Sequence, residues 1–156
     1  MVASPRPAEI RGLELTDVSA VLSIQAESPE LAQWTRLDYA RIASAGMTGW
    51  VAECDGQIVG FMISRRVADE VEILNIAISA RARRQGIGSK LIRHAMRWAL
   101  RLQAAKIYLE VRESNAAAQQ FYCRHGFTIV GRRVRYYSSP KEDALIFAAQ
   151  IETSKF

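Results

Sequence analysis

The stretch "RARRQGIGSK", residues 81–90, decides how the rest of the chain is read. Arg81, Arg83 and Arg84 precede two glycines spaced one apart, Gly86 and Gly88. Upstream, "DEVEILNIAIS" (69–79) has the apolar pattern of a buried strand. Downstream, Ile87, Leu91, Ala95, Trp98 and Leu102 recur every three or four residues, with Lys90, Arg93, Arg97 and Arg101 on the other side. A strand-to-helix turn leaves up to four backbone N–H groups without helical partners, and the helix dipole places partial positive charge there. Glycines let an anion approach that backbone, and the arginines raise the local potential. The pattern predicts a seat for a pyrophosphate. Two better-known phosphate loops are excluded. The dinucleotide fingerprint needs a third glycine where Leu91 stands, and the P-loop needs Gly-Lys-Ser/Thr where the chain reads Gly88-Ser89-Lys90.

Working outward, 156 residues suit one domain, taken as 1–156 with residues 1–7 a disordered leader. The net charge of +5 favours an anionic ligand or partner without choosing between nucleic acid and a polyphosphate. No apolar run approaches the roughly 18 residues a membrane span needs, so no membrane partner is expected. "MVASPRP" lacks the apolar centre of a signal peptide, which points to the cytoplasm. Cys54 and Cys123 have no metal-type spacing with His94 or His125; they read as reduced, buried thiols, and no metal is expected.

Residues 8–15 read as a strand, and Thr16 or Asp17 as the cap of a helix carrying Val18, Val21, Leu22 and Gln25. Pro29 is expected to open a second helix through Leu37, Tyr39 and Ile42, ended by Gly46. "GWVAEC" and "QIVGFMISRR" flank Asp55-Gly56, a strong hairpin signal. After the glycine-arginine helix come a buried strand, "AKIYLEV", and a short helix from Asn115 to a left-handed cap at Gly126. "FTIVGRRVRYY" and "DALIFAAQI" complete the sheet. The order is β-α-α-β-β-β-α-β-α-β-β, a mixed α/β (α+β) domain.

At this point a resemblance emerges. "RRQGIGSKL" resembles the acetyl-coenzyme A signature of the GNAT N-acetyltransferases, Gln/Arg-x-x-Gly-x-Gly/Ala, here Arg83-x-x-Gly86-x-Gly88. "LNIAIS", "LEVRESNAAAQQFY", "RRVRYY" and "EDALI" together are similar to the ribosomal-protein-alanine N-acetyltransferase branch of that superfamily. The resemblance spans about residues 48–151 and is weak over 1–47, where the acceptor would be chosen. It implies a GNAT-like fold: a central mixed sheet of about seven strands flanked by about four helices. The strand ending near Ser79 and the strand at 106–112 would splay apart to hold coenzyme A. Its pyrophosphate would meet the backbone of Arg84, Gln85, Gly86, Ile87, Gly88 and Ser89 beside Arg83. The pantetheine arm would pair along Ile76, Ala77 and Ile78 and reach Asn115 and Tyr122.

The resemblance implies acetyl transfer, with acetyl-coenzyme A as co-substrate and direct attack by an amine in a ternary complex. An N-terminal amine with a pKa near 7.7–8.0 is roughly a tenth neutral at pH 7, whereas about one lysine in two thousand is. A terminal amine therefore needs only a modest base, acting directly or through a water. Glu110 matches the glutamate of that branch by position and is the first candidate. Glu72, near the base position of histone-type members, is the rival. Tyr122 matches the tyrosine near the sulfur; a phenol of pKa about 10 can hydrogen-bond a thiolate more readily than protonate it. The N–H of Ala77 or Ile78 would face the carbonyl oxygen as charge develops. No acyl-cysteine is required of Cys123, and His125 reads as structural.

Tyr136 and Tyr137 match a Tyr-Tyr stretch that frames the peptide tunnel in the family. Residues 28–47, with Glu30, Trp34 and Asp38, would supply the other wall, although an exposed helix face explains those carboxylates equally well. The expected acceptor is a protein N-terminus, such as a ribosomal-protein alanine, and the expected state a monomer or weak dimer. Alternatives are a GNAT acting on lysine or a small amine, a non-catalytic coenzyme A sensor, and a basic nucleic-acid module using the Arg93–Arg97–Arg101 ridge. Against the last, no second helix is placed for helix-turn-helix docking.

Overall fold

Alternating apolar residues and two turn signals dictate the sheet. The computed structural model describes residue 4 and residues 6–152, so residues 1–3 and 5 of the expected leader lie outside the described residues. The elements run β1 (Glu9–Gly12), α1 (Val18–Ala26), α2 (Arg36–Ala40), β2 (Met47–Cys54), β3 (Gln57–Val67), β4 (Glu70–Ile78), α3 (Ile87–Arg101), β5 (Lys106–Arg112), α4 (Ala116–Arg124), β6 (Thr128–Ser138) and β7 (Lys141–Gln150). The seven strands form one sheet in the order β1-β2-β3-β4-β5-β7-β6. β4 and β5 run parallel, while β5–β7 and β6–β7 are antiparallel. The expected mixed α/β class and element order are those observed.

Asp55 and Gly56 turn the β2–β3 hairpin with φ of 48° and 78°, the left-handed pair that a two-residue turn of this type requires. β5 reads differently from the buried strand its composition suggests. Ile107, Leu109 and Val111 are buried, whereas Lys106, Tyr108, Glu110 and Arg112 alternate with them and stay partly exposed. That alternation gives the strand a second, polar face. β4 is buried on both faces only over Val71–Ile73; beyond it Ile76 and Ile78 become half-exposed.

The second helix differs from expectation. Pro29 does not open it; Thr35 does, in a capping box whose Oγ1 accepts from Asp38 N at 3.2 Å. The Asp38 carboxylate accepts from Thr35 N at 2.7 Å in return. Such a cap contributes about 1 kcal/mol, enough to start a helix of one turn and no more. Upstream, buried Gln25 takes over the backbone that a helix would have used: its Nε2 donates to Trp34 O at 2.9 Å and its Oε1 accepts from Trp34 N at 3.1 Å. Gly46 ends the segment at φ 73° as expected. β1 is also shorter than residues 8–15, with a 3-10 turn at Leu15–Asp17. Asp17 precedes α1, but its carboxylate accepts from Arg11 and from Glu14 N instead of capping that helix.

The chain groups into two compact units, Met1–Arg65 with Asn75–Ala95, and Arg66–Leu74 with Met96–Phe156. Val21, Val51, Phe61, Ile63 and Leu91 are fully buried in the first. Ile107, Leu109, Phe127 and Phe147 fill the second.

Candidate active site

In the first unit, β4 leads through a 3-10 turn, Ala80–Ala82, to α3. Arg84 and Gly86 adopt φ of 61° and 79°, two left-handed residues that turn the chain onto the helix axis. Open space surrounds the Cβ position of Gly86. Arg84, Gln85 and Gly86 are exposed, and among the described residues none of their amides donates to a protein acceptor. Lys90 N donates to Gly86 O at 3.1 Å, which makes Ile87 and Gly88 the first helical residues. Consecutive outward amides at the start of a 15-residue helix fit a pyrophosphate by charge and by hydrogen-bonding capacity.

The arginines of this loop divide their work. Arg83 donates to Ile78 O at 3.2 Å and to Ser28 Oγ at 3.1 Å, so it braces the loop. Arg81 donates to Gln57 Oε1. Arg84 has no hydrogen bond or ion pair among the described residues and is the side chain left for an anion. Two braces come from the end of α1. The Glu27 carboxylate accepts from Ala80 N at 2.6 Å, and buried Ser28 receives Arg83. Gly60 of β3 lets the end of β4 approach: a Cβ there would lie 2.8 Å from Ile78 Cδ1 and 3.2 Å from Ala77 O. The signal for Gly60 was present, since a glycine inside a strand marks close backbone approach. Glu27 and Ser28 carry no such local signal, because their partners lie more than fifty residues away.

In the second unit, β4 and β5 pair from Glu70–Lys106 to Glu72–Tyr108. Glu72 therefore shares a sheet face with Tyr108, and Glu110, two residues along β5, is on that face too. Across β7, Glu110 stands opposite Ile146 and Arg112 opposite Ala144, which in turn faces Arg133 of β6. The Arg133 side chain reaches across β7 to Glu110. Its Nε donates to Glu110 Oε1 at 2.6 Å. The Glu110 side chain is 12% exposed and that of Arg133 51%. Glu110 first, and Glu72 more weakly, push the Arg133 guanidinium up from its ordinary value. The structure thus holds Glu110 against a cation, with Glu72 on the same sheet face.

Tyr136 and Tyr137 flank this cluster. The hydrogen bond that the Tyr136 hydroxyl offers Glu110, then burial, pushes its phenol up to about 12. The Arg133 guanidinium lies 5.9 Å from the Tyr136 ring centroid. Tyr137 is raised by burial and then by Glu110, and Arg112 sits 4.1 Å above its ring. The two rings meet edge to face at 5.1 Å. A bulge makes this possible. Between the pairs Arg133–Ala144 and Tyr137–Glu142, three residues of β6 oppose Asp143 alone. The Asp143 carboxylate fills the gap, accepting from Arg135 N at 2.8 Å and from Arg132 at 2.7 Å.

Tyr122 is buried on α4 among Phe121, Phe127 and Phe147, and no hydrogen bond among the described residues engages its hydroxyl. Burial, with Tyr137 nearby, pushes its phenol well above the usual tyrosine range. This direction favours hydrogen-bond donation over proton loss. Asn115 caps α4 by accepting from Ala118 N at 3.2 Å, and its amide nitrogen has no hydrogen bond among the described residues. His125 Nδ1 lies 2.8 Å from Phe121 O, so it carries the proton and holds the end of α4. The thiols are not the buried pair expected. Cys123 is exposed because Tyr122 takes the inward position, and Cys54 is half-buried, donating to Arg6 O.

Trp34 lies in the first unit, its ring 5.4 Å from that of Tyr39. Asp38 is committed to the α2 cap. Arg93, Arg97 and Arg101 form an exposed stripe on α3, as their spacing predicts. Arg133 was missed by sequence reasoning, although "RRVRYY" contains it, because its role depends on cross-strand register. No helix is long and apolar enough to cross a membrane, and no metal-binding group occurs among the described residues.

The class of protein is a group-transfer enzyme: the chain belongs to the Acetyltransferase (GNAT) family, which it matches over residues 15–127. It is therefore an N-acetyltransferase by family, and that family uses acetyl-coenzyme A as co-substrate. Among individual proteins, it is 32% identical over 144 residues to the [ribosomal protein bS18]-alanine N-acetyltransferase of Escherichia coli (strain K12), covering 91% of this chain and 97% of that one. The crystal structure of the ribosomal-protein-S18-alanine N-acetyltransferase from Escherichia coli superposes with a TM-score of 0.83 at 31% identity, covering 94% and 95% of the two chains. Ard1 from Thermoplasma volcanium superposes with a TM-score of 0.82 at 27% identity, covering 94% and 99%.

Proposed function

We propose that this chain acetylates the N-terminal amine of a protein, with an alanine-led ribosomal protein as the acceptor. It would act in the cytoplasm as one catalytic domain, as a monomer or weak dimer. The observation that carries the reading is Glu110, a carboxylate on the polar face of β5 already holding a cation at 2.6 Å beside Tyr136. The names of the relatives at 32% and 31% identity support the same acceptor class.

In this reading the amides of Arg84 to Ser89 and the free guanidinium of Arg84 hold the pyrophosphate, and Ile76, Ala77 and Ile78 line the pantetheine arm. Acetyl-coenzyme A supplies the acyl group as a thioester. Glu110 receives the first proton of the incoming ammonium, directly or through a water shared with Glu72. As the C–N bond forms and the C–S bond breaks, the nitrogen sheds its second proton and the sulfur ends as a thiol. Tyr122, kept protonated by burial, hydrogen-bonds the departing sulfur; the amide nitrogen of Asn115 steadies the arm. The N–H of Ala77 or Ile78 meets the carbonyl oxygen. Trp34, Tyr136 and Tyr137 bound the acceptor peptide.

The test is a peptide panel with labelled acetyl-coenzyme A, comparing free and blocked N-termini with and without internal lysines. Label confined to free N-termini is expected. Label that survives blocking moves the acceptor to lysine.

A further inference from the structure

The contact between Arg133 and Glu110 has features that a structural clamp lacks. Guanidinium–carboxylate clamps are commonly bidentate and sheltered. Here a single Nε–H reaches one oxygen, and the guanidinium is half-exposed over a carboxylate that is almost covered. Among the described residues the remaining Arg133 donors have no partner. The neighbouring arginine shows the alternative: Arg112 is tied to Glu142, to Pro140 O and Ser139 O, and to the face of Tyr137.

The surroundings of the Arg133 head suit a cation of any shape. Glu110 touches it, the Tyr136 ring lies beneath it, and Glu72 is on the same sheet face as Glu110. An alkylammonium would find the same attractions: a carboxylate oxygen to accept its N–H, a second negative charge and an aromatic face. The position the amine needs next to its base is the position this guanidinium fills. While Arg133 is there, its Nε–H already occupies Glu110 Oε1 and its charge already neutralises the carboxylate.

We infer that Arg133 is a specificity-determining placeholder, standing in for the acceptor's ammonium at Glu110 and displaced when an N-terminal amine binds. The inference rests on the acceptor reading given above. Neutral acceptors are then disfavoured, because they must dislodge a cation without replacing its charge. Cationic acceptors exchange like for like.

The experiment pairs kinetics with a direct view of the side chain. KM and kcat are measured separately for a short alanine-led peptide with wild type, Arg133→Met and Arg133→Lys. The Arg133 Nε–H resonance is followed by NMR as that peptide is titrated into wild-type protein. The KM of Arg133→Met is expected to fall by about fivefold, the upper end for releasing a partly exposed ion pair. Arg133→Lys should lie between, and KM should change more than kcat. The Nε–H signal should move toward its solvent-exposed position at saturating peptide. A kcat loss with unchanged KM, restored by lysine, identifies a clamp for Glu110 and overturns the inference. So does an Nε–H signal that stays put at saturation. If wild type fails to acetylate the peptide but the signal moves, the acceptor reading fails while the displacement stands.

Discussion

The loop between β4 and α3 and the polar face of β5 handle charge in opposite ways. In the loop, positive character comes from the main chain: exposed amides of Arg84, Gln85 and Gly86 at the start of α3. Its arginines are largely spent on scaffolding, Arg83 on Ile78 O and Ser28, Arg81 on Gln57. On the polar face of β5, charge is carried by side chains, Glu110 against Arg133, with Glu72 of β4 on the same face. A main-chain site tolerates side-chain replacement but not a change of backbone conformation. A side-chain site has the reverse sensitivity.

The largest consequence falls on Glu110. Glu110→Gln should lower kcat by about 10²- to 10⁴-fold, the usual weight of a positioned base, with acetyl-coenzyme A affinity unchanged by calorimetry. Equal losses in turnover and affinity would break the contrast, since one carboxylate would then serve both regions. Gly86→Val comes next. A left-handed φ of 79° costs a branched residue about 1–2 kcal/mol, so the dissociation constant for acetyl-coenzyme A should rise about tenfold. Arg84→Ala should change it by less than about threefold, as befits an exposed charge. The contrast is wrong if Arg84→Ala costs more than Gly86→Val.

The smallest effect is a pH dependence of stability. Hydrogen bonds from Arg11 hold Asp17 below the usual carboxylate range; Arg135 N and Arg132 do so for Asp143, and Ser114 for Glu142. Carboxylates with depressed folded pKa values contribute stability above their unfolded pKa of about 4 and lose it as pH falls through the folded value. The melting temperature should therefore drop between about pH 5 and pH 3, and Asp143→Asn should flatten part of that drop. An unchanged slope in Asp143→Asn would show that the β6 bulge is held by something else.

What was legible in the sequence follows from the same contrast. The phosphate-type loop, the Asp55-Gly56 hairpin, the Asn115 cap and the Gly126 turn at φ 85° are local features, set by residues within one turn of each other. Glu110, Glu72, Tyr122, Tyr136 and Tyr137 were reachable through family resemblance, and the cluster formed by four of them appeared only with the strand register. Where long-range contacts dominate, local reading failed. The helix expected from Pro29 was replaced by turns that Gln25 holds from α1. Arg133 is twenty-three residues from Glu110 and meets it only across β7.

The Asp143 pin has an effect beyond the site. β6 ends the sheet and carries Ile129, Val130 and Val134, each more than half exposed, which makes it a natural template for unwanted fibre growth. With three residues crowded opposite one, the outer rim buckles where a docking strand would have to lie flat. The distortion that aims Tyr136 at Glu110 also works against another strand pairing along that rim.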